Sequence, residues 1–205
     1  MKAHNKKIYL ASKSPRRRDL LRQVGVEFDL LSLRTDLGRG ADVSEDVLEG
    51  ELAHDYVVRV ALEKGQFAWR YLQQRRQALR PVLTADTTVT IDGEILGKPA
   101  NVMEARSMLA RLSGRTHQVL TTVAVHHIDM AEHVTQVSNV RFAQLTPQQI
   151  AAYCATGEPY DKAGGYGIQG LAALFIEHIE GSHSGIMGLP LFETAALLRK
   201  AGIQV

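Results

Sequence analysis

The segment IYLASKSPRRRDLL (residues 8–21) runs from a short apolar stretch directly into a helix start, and this junction decides the fold prediction. Its first four residues have the composition of a buried strand. Ser14 and Pro15 are residue types favoured at a helix N-cap and at the first helical position. Three arginines follow at 16–18, where the positive end of the helix dipole disfavours cations. A bound anion would relieve this conflict, so the segment predicts either a phosphate site or a basic surface paired with acids such as Asp19.

The composition is typical of a globular protein. Hydrophobic residues make up 45% of the 205-residue chain and charged residues 22%, far from a disordered composition. The net charge of +2 and the aromatic content of 6% argue against a nucleic-acid binder. The N-terminal stretch does not have the pattern of a signal peptide, and no later stretch has the length of a membrane span. Cys154 is the only cysteine, which predicts a buried, unreactive thiol and a cytoplasmic protein.

Strand and helix patterns alternate along the rest of the chain. Helical spacing of apolar residues predicts helices at 47–79, at 101–114, from Thr146 and at 189–202. Strand patterns cover 28–33, 81–85, 88–96, 116–128, 134–145 and 171–176. The Asp92-Gly93 pair within 88–96 is typical of a two-residue hairpin turn. Strands that alternate with helices and include a hairpin predict an α/β fold with a mixed β-sheet and flanking helices.

Asp86 is the first candidate for chemistry, because it follows directly on the apolar stretch PVLTA (81–85). Open α/β folds place functional groups where strands end. A carboxylate at such a position can bind Mg²⁺ through its oxygens or accept a proton from water. The alternative interpretation is an ordinary polar residue that ends a strand.

Three lysines and a glycine-rich segment are further candidates. Lys64 lies within a helical pattern, Lys98 in a GKPA turn and Lys162 in GEPYDKAGGYGIQG (157–170). Each lysine taken alone is more typical of a solvated surface charge than of a binding group. The glycines of 157–170 allow backbone to approach a ligand closely, and the tyrosines among them argue against a flexible linker.

Seven motifs occur in the order typical of one protein family. They are LASKSPRRRDLL, ALEKG, ADTTV, LGKPAN, LSGRTHQVLT, GEPYDKAGGYGIQG and GSHSGIMGLPL. On these motifs the chain resembles the Maf-like nucleoside triphosphate pyrophosphatases, or septum-formation inhibitors, from Ile8 to Gly202. The resemblance implies an elongated Maf/ITPase-like fold in which two lobes of a single domain (1–205) share a central cleft. It also implies dependence on a divalent cation, Mg²⁺ or Mn²⁺, and assembly as a homodimer.

The same resemblance assigns roles to eight residues. Asp86 matches the family's catalytic aspartate, which accepts a proton and binds the metal. The positions that bind the triphosphate match Ser14, Arg17, Lys64 and Lys98. The positions that distinguish the subgroup acting on dTTP and UTP match Arg16, Thr87 and Gln169.

One part of the family pattern is missing from this sequence. The family usually carries two acidic residues after the second strand, suited to metal binding. Here LRTDLGRG (33–40) offers Asp36 alone, with Leu37 in the other place. The second carboxylate is then Glu45 or Asp46, or the cation relies on the catalytic aspartate and the substrate phosphates.

The resemblance implies hydrolysis of dTTP and UTP between the α- and β-phosphates, giving a nucleoside monophosphate and pyrophosphate. Modified pyrimidine nucleotides would undergo the same chemistry and are alternative substrates. A function of another class is a non-catalytic regulator of septum formation that binds a nucleotide without needing the aspartate. The expected role is nucleotide-pool sanitation or arrest of cell division, with a nucleoside triphosphate as partner and neither nucleic acid nor membrane involved.

Overall fold

A mixed β-sheet forms the centre of the computed structural model, which describes residues 7–32 and 43–205. Its strands in this part of the chain are β1 (Lys7–Leu10), β2 (Glu27–Leu30), β3 (Val82–Ile91), β4 (Glu94–Leu96), β5 (Thr116–His127), β6 (Met130–Phe142) and β7 (Ile176–Glu180). They follow the order β2-β1-β3-β5-β6-β7, and β4 pairs with β3 beside this path. β1 is parallel to β2 and β3, whereas the β3–β5, β5–β6 and β6–β7 pairs are antiparallel. The predicted mixed α/β architecture is confirmed.

Helices pack against this sheet. They are α1 (Pro15–Gln23), α2 (Ala53–Gln74), α3 (Val102–Leu112), α4 (Pro147–Cys154), α5 (His183–Ile186) and α6 (Leu191–Lys200). α2 lies against β3 and β5, and α6 against β5 and β6. Three 3₁₀ turns, Glu158–Asp161, Ala163–Gly165 and Leu171–Phe175, connect α4 to β7. Among the residues described, no helix combines the length and the apolar character needed to cross a membrane.

Local sequence explains where several helices begin and end. α1 begins at Pro15 with Ser14 in the N-cap position, as predicted, although the Ser14 side chain makes no capping bond. Asn101 caps α3 by accepting from two backbone N–H groups, and Thr146 forms a reciprocal capping box in α4. Gly202 follows α6 with φ of 81°, a conformation that glycine adopts without strain.

Two large apolar cores meet along β3. One core contains Leu83 and Ala85 together with residues of β1, α1 and α6. The other contains Val89 and Ile91 together with residues of α3, α4 and β6. The stretch between these pairs, which includes Asp86, therefore lies where the two cores adjoin. The predicted buried cysteine, in α4, belongs to the second core, and burial raises the pKa of its thiol.

The observed β3 differs from the two strands predicted for this region. The sequence predicts strands at 81–85 and 88–96 with Asp86 at the end of the first. Instead, Val82–Ile91 is one continuous strand, and Asp86 lies in the middle of its ladder with β5. The prediction that Asp86 ends a strand is wrong, because the ammonium group of Lys64 supplies the opposite charge that a carboxylate inside a sheet requires.

The strand predicted at 171–176 is also wrong. Leu171–Phe175 forms a 3₁₀ turn, and β7 begins only at Ile176. The five residues before Ile176 include none of the β-branched types that favour strands. Leu174 is 83% exposed, so this apolar run does not form a buried strand.

The remaining differences concern boundaries. α2 is shorter at both ends than the predicted 47–79, and β6 begins at Met130 rather than at 134. The hairpin turn at Asp92-Gly93 is confirmed, with φ of 57° and 78° at the two residues.

Candidate functional site

A cavity of about 320 Å³ lies where the start of α1, the middle of β3 and the glycine-rich loop (157–170) meet. Its lining includes all eight residues to which the sequence analysis assigned a role, namely Ser14, Arg16, Arg17, Lys64, Asp86, Thr87, Lys98 and Gln169. Lys162, the third lysine singled out in the sequence, also lines it. The fold thus gathers around one cavity residues that are widely separated along the chain.

Lys64 links two carboxylates inside this cavity. Its Nζ donates to Asp86 Oδ1 at 2.8 Å and lies 2.6 Å from Glu45 Oε1. The side chains of Lys64 and Asp86 are only 9% and 11% exposed. Lys98 Nζ lies 3.9 Å from the other Glu45 oxygen. Burial raises the pKa of Glu45, but the charges of Lys64 and Lys98 bring it below its ordinary value, so this carboxylate is ionised at neutral pH.

Glu45 is the second acidic group that the structure brings to Asp86. Asp36 and Leu37 lie outside the described residues. The exposed Asp46 accepts a hydrogen bond from a neighbouring serine hydroxyl at 2.9 Å, whereas Glu45 lines the cavity. Of the two alternatives named from the sequence, Glu45 has the position that a second metal-binding carboxylate requires.

The segment that carries Glu45 is attached to α2 by two side chains that sequence reasoning missed. Tyr56 donates its hydroxyl to the Glu45 carbonyl oxygen at 3.0 Å. Arg59 donates to the Asp46 carbonyl oxygen at 2.9 Å and pairs with both carboxylate oxygens of Glu51, at 2.6 and 2.9 Å. The hydrogen bonds from Arg59 lower the pKa of Glu51 to about 2. Helical spacing marks Tyr56 only as an apolar-face residue, and a single sequence gives no signal that links Arg59 to this segment.

Arg17 reaches three different parts of the site. Its Nε donates to the Gly188 carbonyl oxygen at 2.7 Å, its Nη1 to Ser12 Oγ at 3.2 Å and its Nη2 to Thr87 Oγ1 at 3.2 Å. Burial lowers the pKa of Arg17, and the nearby carboxylate of Asp86 opposes that shift. A guanidinium has five N–H donors, and three are used by the described residues, so two remain for a ligand.

Thr87 and Thr121 extend this network into the sheet. Thr121 donates its hydroxyl to the Gly185 carbonyl oxygen at 2.7 Å. Thr87 therefore donates to Thr121, at 2.9 Å, and accepts from Arg17. Each hydroxyl has only one proton, so the Thr87 oxygen serves as an acceptor for Arg17. This contact helps to hold the Arg17 guanidinium in place. Thr121 was not predicted from the sequence, because it falls among many similar residues of a buried strand.

The arginines at the start of α1 have different partners. These partners bear on how three positive charges are tolerated at the positive end of a helix. Arg16 Nη1 donates to Asp161 Oδ2 of the glycine-rich loop at 3.0 Å. Within the part of the chain that the structure describes, the Nε of Arg18 is buried and has no hydrogen-bond partner. Asp19, the acid proposed from the sequence as a neighbouring partner, pairs with Arg22 at 2.8 Å. The basic cluster is therefore held mainly by distant parts of the chain.

The glycine-rich loop forms one side of the cavity. Gly164 has φ of +70°, and a Cβ at this position would lie 2.9 Å from the side chain of Val89. Glycine thus allows the loop backbone to rest directly on β3. Gln169, which is exposed, lines the cavity from the same loop.

Comparison with known proteins identifies the family. The family model described as Maf-like protein matches residues 7–201. The chain belongs to the Maf family. Proteins named dTTP/UTP pyrophosphatase are similar to this Maf chain over almost their whole length. The protein of Aromatoleum aromaticum is 53% identical, and the match covers 98% of each chain. The protein of Ralstonia nicotianae is 56% identical over 96% of this chain and 94% of its own. The protein of Nitrosomonas europaea is 50% identical over 97% of this chain and 96% of its own.

A solved structure with a weaker likeness to this Maf chain is that of the Staphylococcus aureus Ham1 protein. It is 16% identical, with a TM-score of 0.45, and the match covers 67% of this chain and 72% of the other.

The donor set of the Maf cavity suits a divalent cation in part. Within residues 7–32 and 43–205, no group of three or more His, Cys, Asp or Glu side chains is placed to hold a metal ion. Asp86 and Glu45 nevertheless each have an oxygen within 2.8 Å of the same lysine nitrogen. Two carboxylates are the hard ligands that Mg²⁺ and Mn²⁺ prefer, and both ions commonly take further oxygens from phosphates and water. The residues therefore fit a cation that is shared with a phosphate ligand.

Proposed function

We propose that this Maf protein hydrolyses dTTP and UTP between the α- and β-phosphates, releasing a nucleoside monophosphate and pyrophosphate. The names of its relatives support the enzyme class and these substrates. The observation that carries the proposal is the buried Asp86 carboxylate, which shares one cavity with Glu45, Arg17, Lys64 and Lys98. The carboxylate proposed to react and the cations proposed to bind phosphate thus line the same cavity.

The triphosphate binds at the start of α1. The first backbone N–H groups of a helix have no partner within the helix and attract anions, and Ser14 stands at that end. Arg17 has two free N–H donors, and Lys98 is 60% exposed, so both can reach a phosphate. Lys64 is already bound to two carboxylates, so its charge acts on the phosphates from within that cluster.

Asp86 acts as the proton acceptor for the attacking water. Together with Glu45 it would hold a divalent cation, Mg²⁺ or Mn²⁺, which supplies charge neutralisation at the phosphate oxygens when bound. Lys64 holds both carboxylates in place through contacts of 2.6 and 2.8 Å, which fixes the position of Asp86 in the cavity. The apolar residues on either side of the β3 segment limit the access of bulk water to Asp86.

The base binds toward the glycine-rich loop. Gln169 has an amide that both donates and accepts, which matches the ring N–H and the carbonyls of uracil and thymine. Cytosine presents the opposite pattern at these atoms, and a buried unsatisfied group costs about 1–3 kcal/mol. Arg16 lies at the same end of the cavity through its pair with Asp161. Thr87 contributes to specificity through the position of Arg17.

Several expectations accompany this proposal. The chain acts as a single domain of two lobes, and the two apolar cores that adjoin at β3 support this view. It works as a cytoplasmic homodimer on free nucleotides, including modified pyrimidine nucleotides, without nucleic acid. The alternative of a non-catalytic septum regulator is less well supported, because nucleotide binding alone does not require a buried carboxylate paired with a lysine. The expected biological role is nucleotide-pool sanitation or arrest of cell division.

Product analysis with a panel of nucleoside triphosphates tests the proposal. Pyrophosphate should appear as the first product from dTTP and UTP with Mg²⁺ or Mn²⁺, and EDTA should abolish it. Asp86→Asn should lower kcat by about 10²–10⁴, the usual loss when a general base is removed. Asp92→Asn, in an exposed turn away from the cavity, is the matched control. Orthophosphate as the first product, or near-parental kcat in Asp86→Asn, would contradict the mechanism.

A further inference from the structure

The charged side chains of the cavity form two separate clusters. The first surrounds Asp86 and contains Glu45, Lys64, Lys98 and Arg17. The second surrounds Asp161 of the glycine-rich loop and contains Arg16 and Lys162. The first has the carboxylates and cations that phosphate chemistry needs. The second joins α1 to the loop that carries Gln169, and no role has yet been given to Asp161.

Asp161 uses both carboxylate oxygens to hold cations. Oδ2 accepts from Arg16 Nη1 at 3.0 Å, and Oδ1 accepts from Lys162 Nζ at 2.5 Å. The side chains of Arg16 and Lys162 are only 22% and 13% exposed. Burial raises the pKa of Asp161, but the hydrogen bonds from Lys162 and Arg16 bring it below its ordinary value. Asp161 is therefore an anion that both neighbours bind at neutral pH.

The loop around Asp161 is braced, so its carboxylate has a defined position. Lys162 Nζ also donates to the Glu158 carbonyl oxygen at 2.6 Å. The Glu158 carboxylate accepts from the Tyr153 hydroxyl at 2.8 Å and from the Leu171 backbone N–H at 3.0 Å. These bonds tie the two ends of the loop together. Arg16 stands on a different element, the first turn of α1, so the ion pair joins this helix to the braced loop.

A guanidinium close to a triphosphate has two possible partners. Without Asp161, Arg16 would be drawn to the phosphates, because a flexible cation moves toward the highest negative charge within reach. Phosphates are common to all nucleotides, so that contact would not distinguish bases. With Asp161 in place, the charge of Arg16 is neutralised and its side chain stays on the loop that also carries Gln169.

We propose that Asp161 is a positioning residue for base selection, which holds Arg16 at the loop end of the cavity and keeps it from the triphosphate. This inference rests on the proposed function. It assigns to Asp161 a role that acts through Arg16, and it predicts that loss of the Asp161 charge weakens discrimination between nucleotides more than it weakens turnover.

Asp161→Asn tests the proposal, with kcat and KM measured for UTP, dTTP and CTP. The kcat/KM advantage of UTP and dTTP over CTP should narrow by about twofold to fivefold, the range that an exposed ion pair can supply. The KM for CTP should fall, because the released arginine binds the phosphates of any nucleotide. For UTP and dTTP the lost contribution of Arg16 to base selection should offset this gain, so their KM values should fall less. Asp161→Glu keeps the charge and should stay closer to the parent. Asp92→Asn is the matched control. The side chain of Asp92 is 60% exposed, close to the 61% of Asp161, and it pairs with Arg115 at 2.6 Å. Asp92 does not line the cavity.

The same substitution in an Arg16→Ala background tests the route of the effect. If Asp161 acts through Arg16, Asp161→Asn leaves the ratio of kcat/KM values unchanged in this background. A shift that persists there overturns the proposal, as does an unchanged ratio in Asp161→Asn alone. An equal fall in KM for all three nucleotides overturns it as well, because Asp161 would then only compete with the triphosphate. Failure of the proposed function is a separate result, in which the parent releases no pyrophosphate from UTP or dTTP.

Discussion

Replacement of Lys64 by methionine should destabilise the protein even though it introduces an apolar side chain of similar length. Lys64 Nζ lies 2.8 Å from an Asp86 oxygen and 2.6 Å from a Glu45 oxygen, and its side chain is 9% exposed. Lys64→Met leaves two carboxylates facing each other in a partly buried cavity, without the cation between them. Each carboxylate then repels the other and loses a short hydrogen bond.

The expected magnitude follows from this geometry. Removal of one partner from a buried ion pair costs about 3–5 kcal/mol, because the remaining charge stays buried without compensation. For a chain of this size, each 1 kcal/mol lowers Tm by about 2–4 °C, so the melting temperature of Lys64→Met should fall by about 6–20 °C. Lys98→Met removes a charge from the same cluster at a side chain that is 60% exposed, and it should change stability by less than about 1 kcal/mol.

Thermal melting in EDTA, without nucleotide, measures this effect. The double variant Lys64→Met/Asp86→Asn should recover more than half of the lost Tm, because only one carboxylate then remains charged. A Lys64→Met protein that melts within about 2 °C of the parent, or a double variant with additive losses, would refute the reasoning. Either result would mean that Lys64 does not compensate the two carboxylates in the folded protein.

Three further predictions concern stability and base choice. Burial lowers the pKa of His117 to about 4, below the ordinary value of 6.5, so the unfolded chain binds a proton that the folded one does not. Stability should therefore fall by about 2 kcal/mol between pH 8 and pH 5, and His117→Gln should flatten this dependence in pH-dependent melting curves. Gly65→Ala should destabilise by about 1–3 kcal/mol, because its Cβ would lie 2.2 Å from the His126 ring; a higher Tm would contradict this. Gln169→Glu should lower kcat/KM for UTP and dTTP and narrow their advantage over CTP, and unchanged ratios would exclude Gln169 from base recognition.

The sequence predicts the fold well where a residue's local role agrees with its tertiary role. Pro15 and Thr146-Pro147 mark helix starts because proline is tolerated in the first turn, and the helices begin there. Asp92-Gly93 marks a hairpin because both residues adopt positive φ. These signals are contained within a few neighbouring residues, so no distant contact can override them easily.

The errors have the opposite origin. Asp86 interrupts a strand pattern because charge disfavours burial, yet a lysine on α2 offsets that charge from across the fold. Leu171–Phe175 has the apolar character of a strand, but Glu158 binds the Leu171 backbone N–H and helps to fix the loop at this point. Both outcomes depend on partners more than ten residues away. A pattern of local hydrophobicity contains no information about them.

The sequence named residues that share one cavity, but it did not show the contacts that hold them there. All eight residues named from the resemblance line one cavity, and Glu45 was among the alternatives for the second carboxylate. The sequence does not show that Tyr56 and Arg59 place Glu45, or that Thr121 supports Thr87. These residues act through hydrogen bonds to side chains and carbonyl groups, and no motif spacing encodes such bonds.

The charge balance of the two clusters bears on why a divalent cation would be needed. Around Asp86 and Glu45, the three cations Arg17, Lys64 and Lys98 exceed the two carboxylates by one charge. A triphosphate carries more negative charge than this excess can neutralise, and the first turn of α1 adds only partial charges. Because Asp161 neutralises one of the two cations in its own cluster, that cluster offers little more. A divalent ion held by Asp86 and Glu45 would supply the missing positive charge. Arg16, which Asp161 holds at the loop, would then remain available for the base.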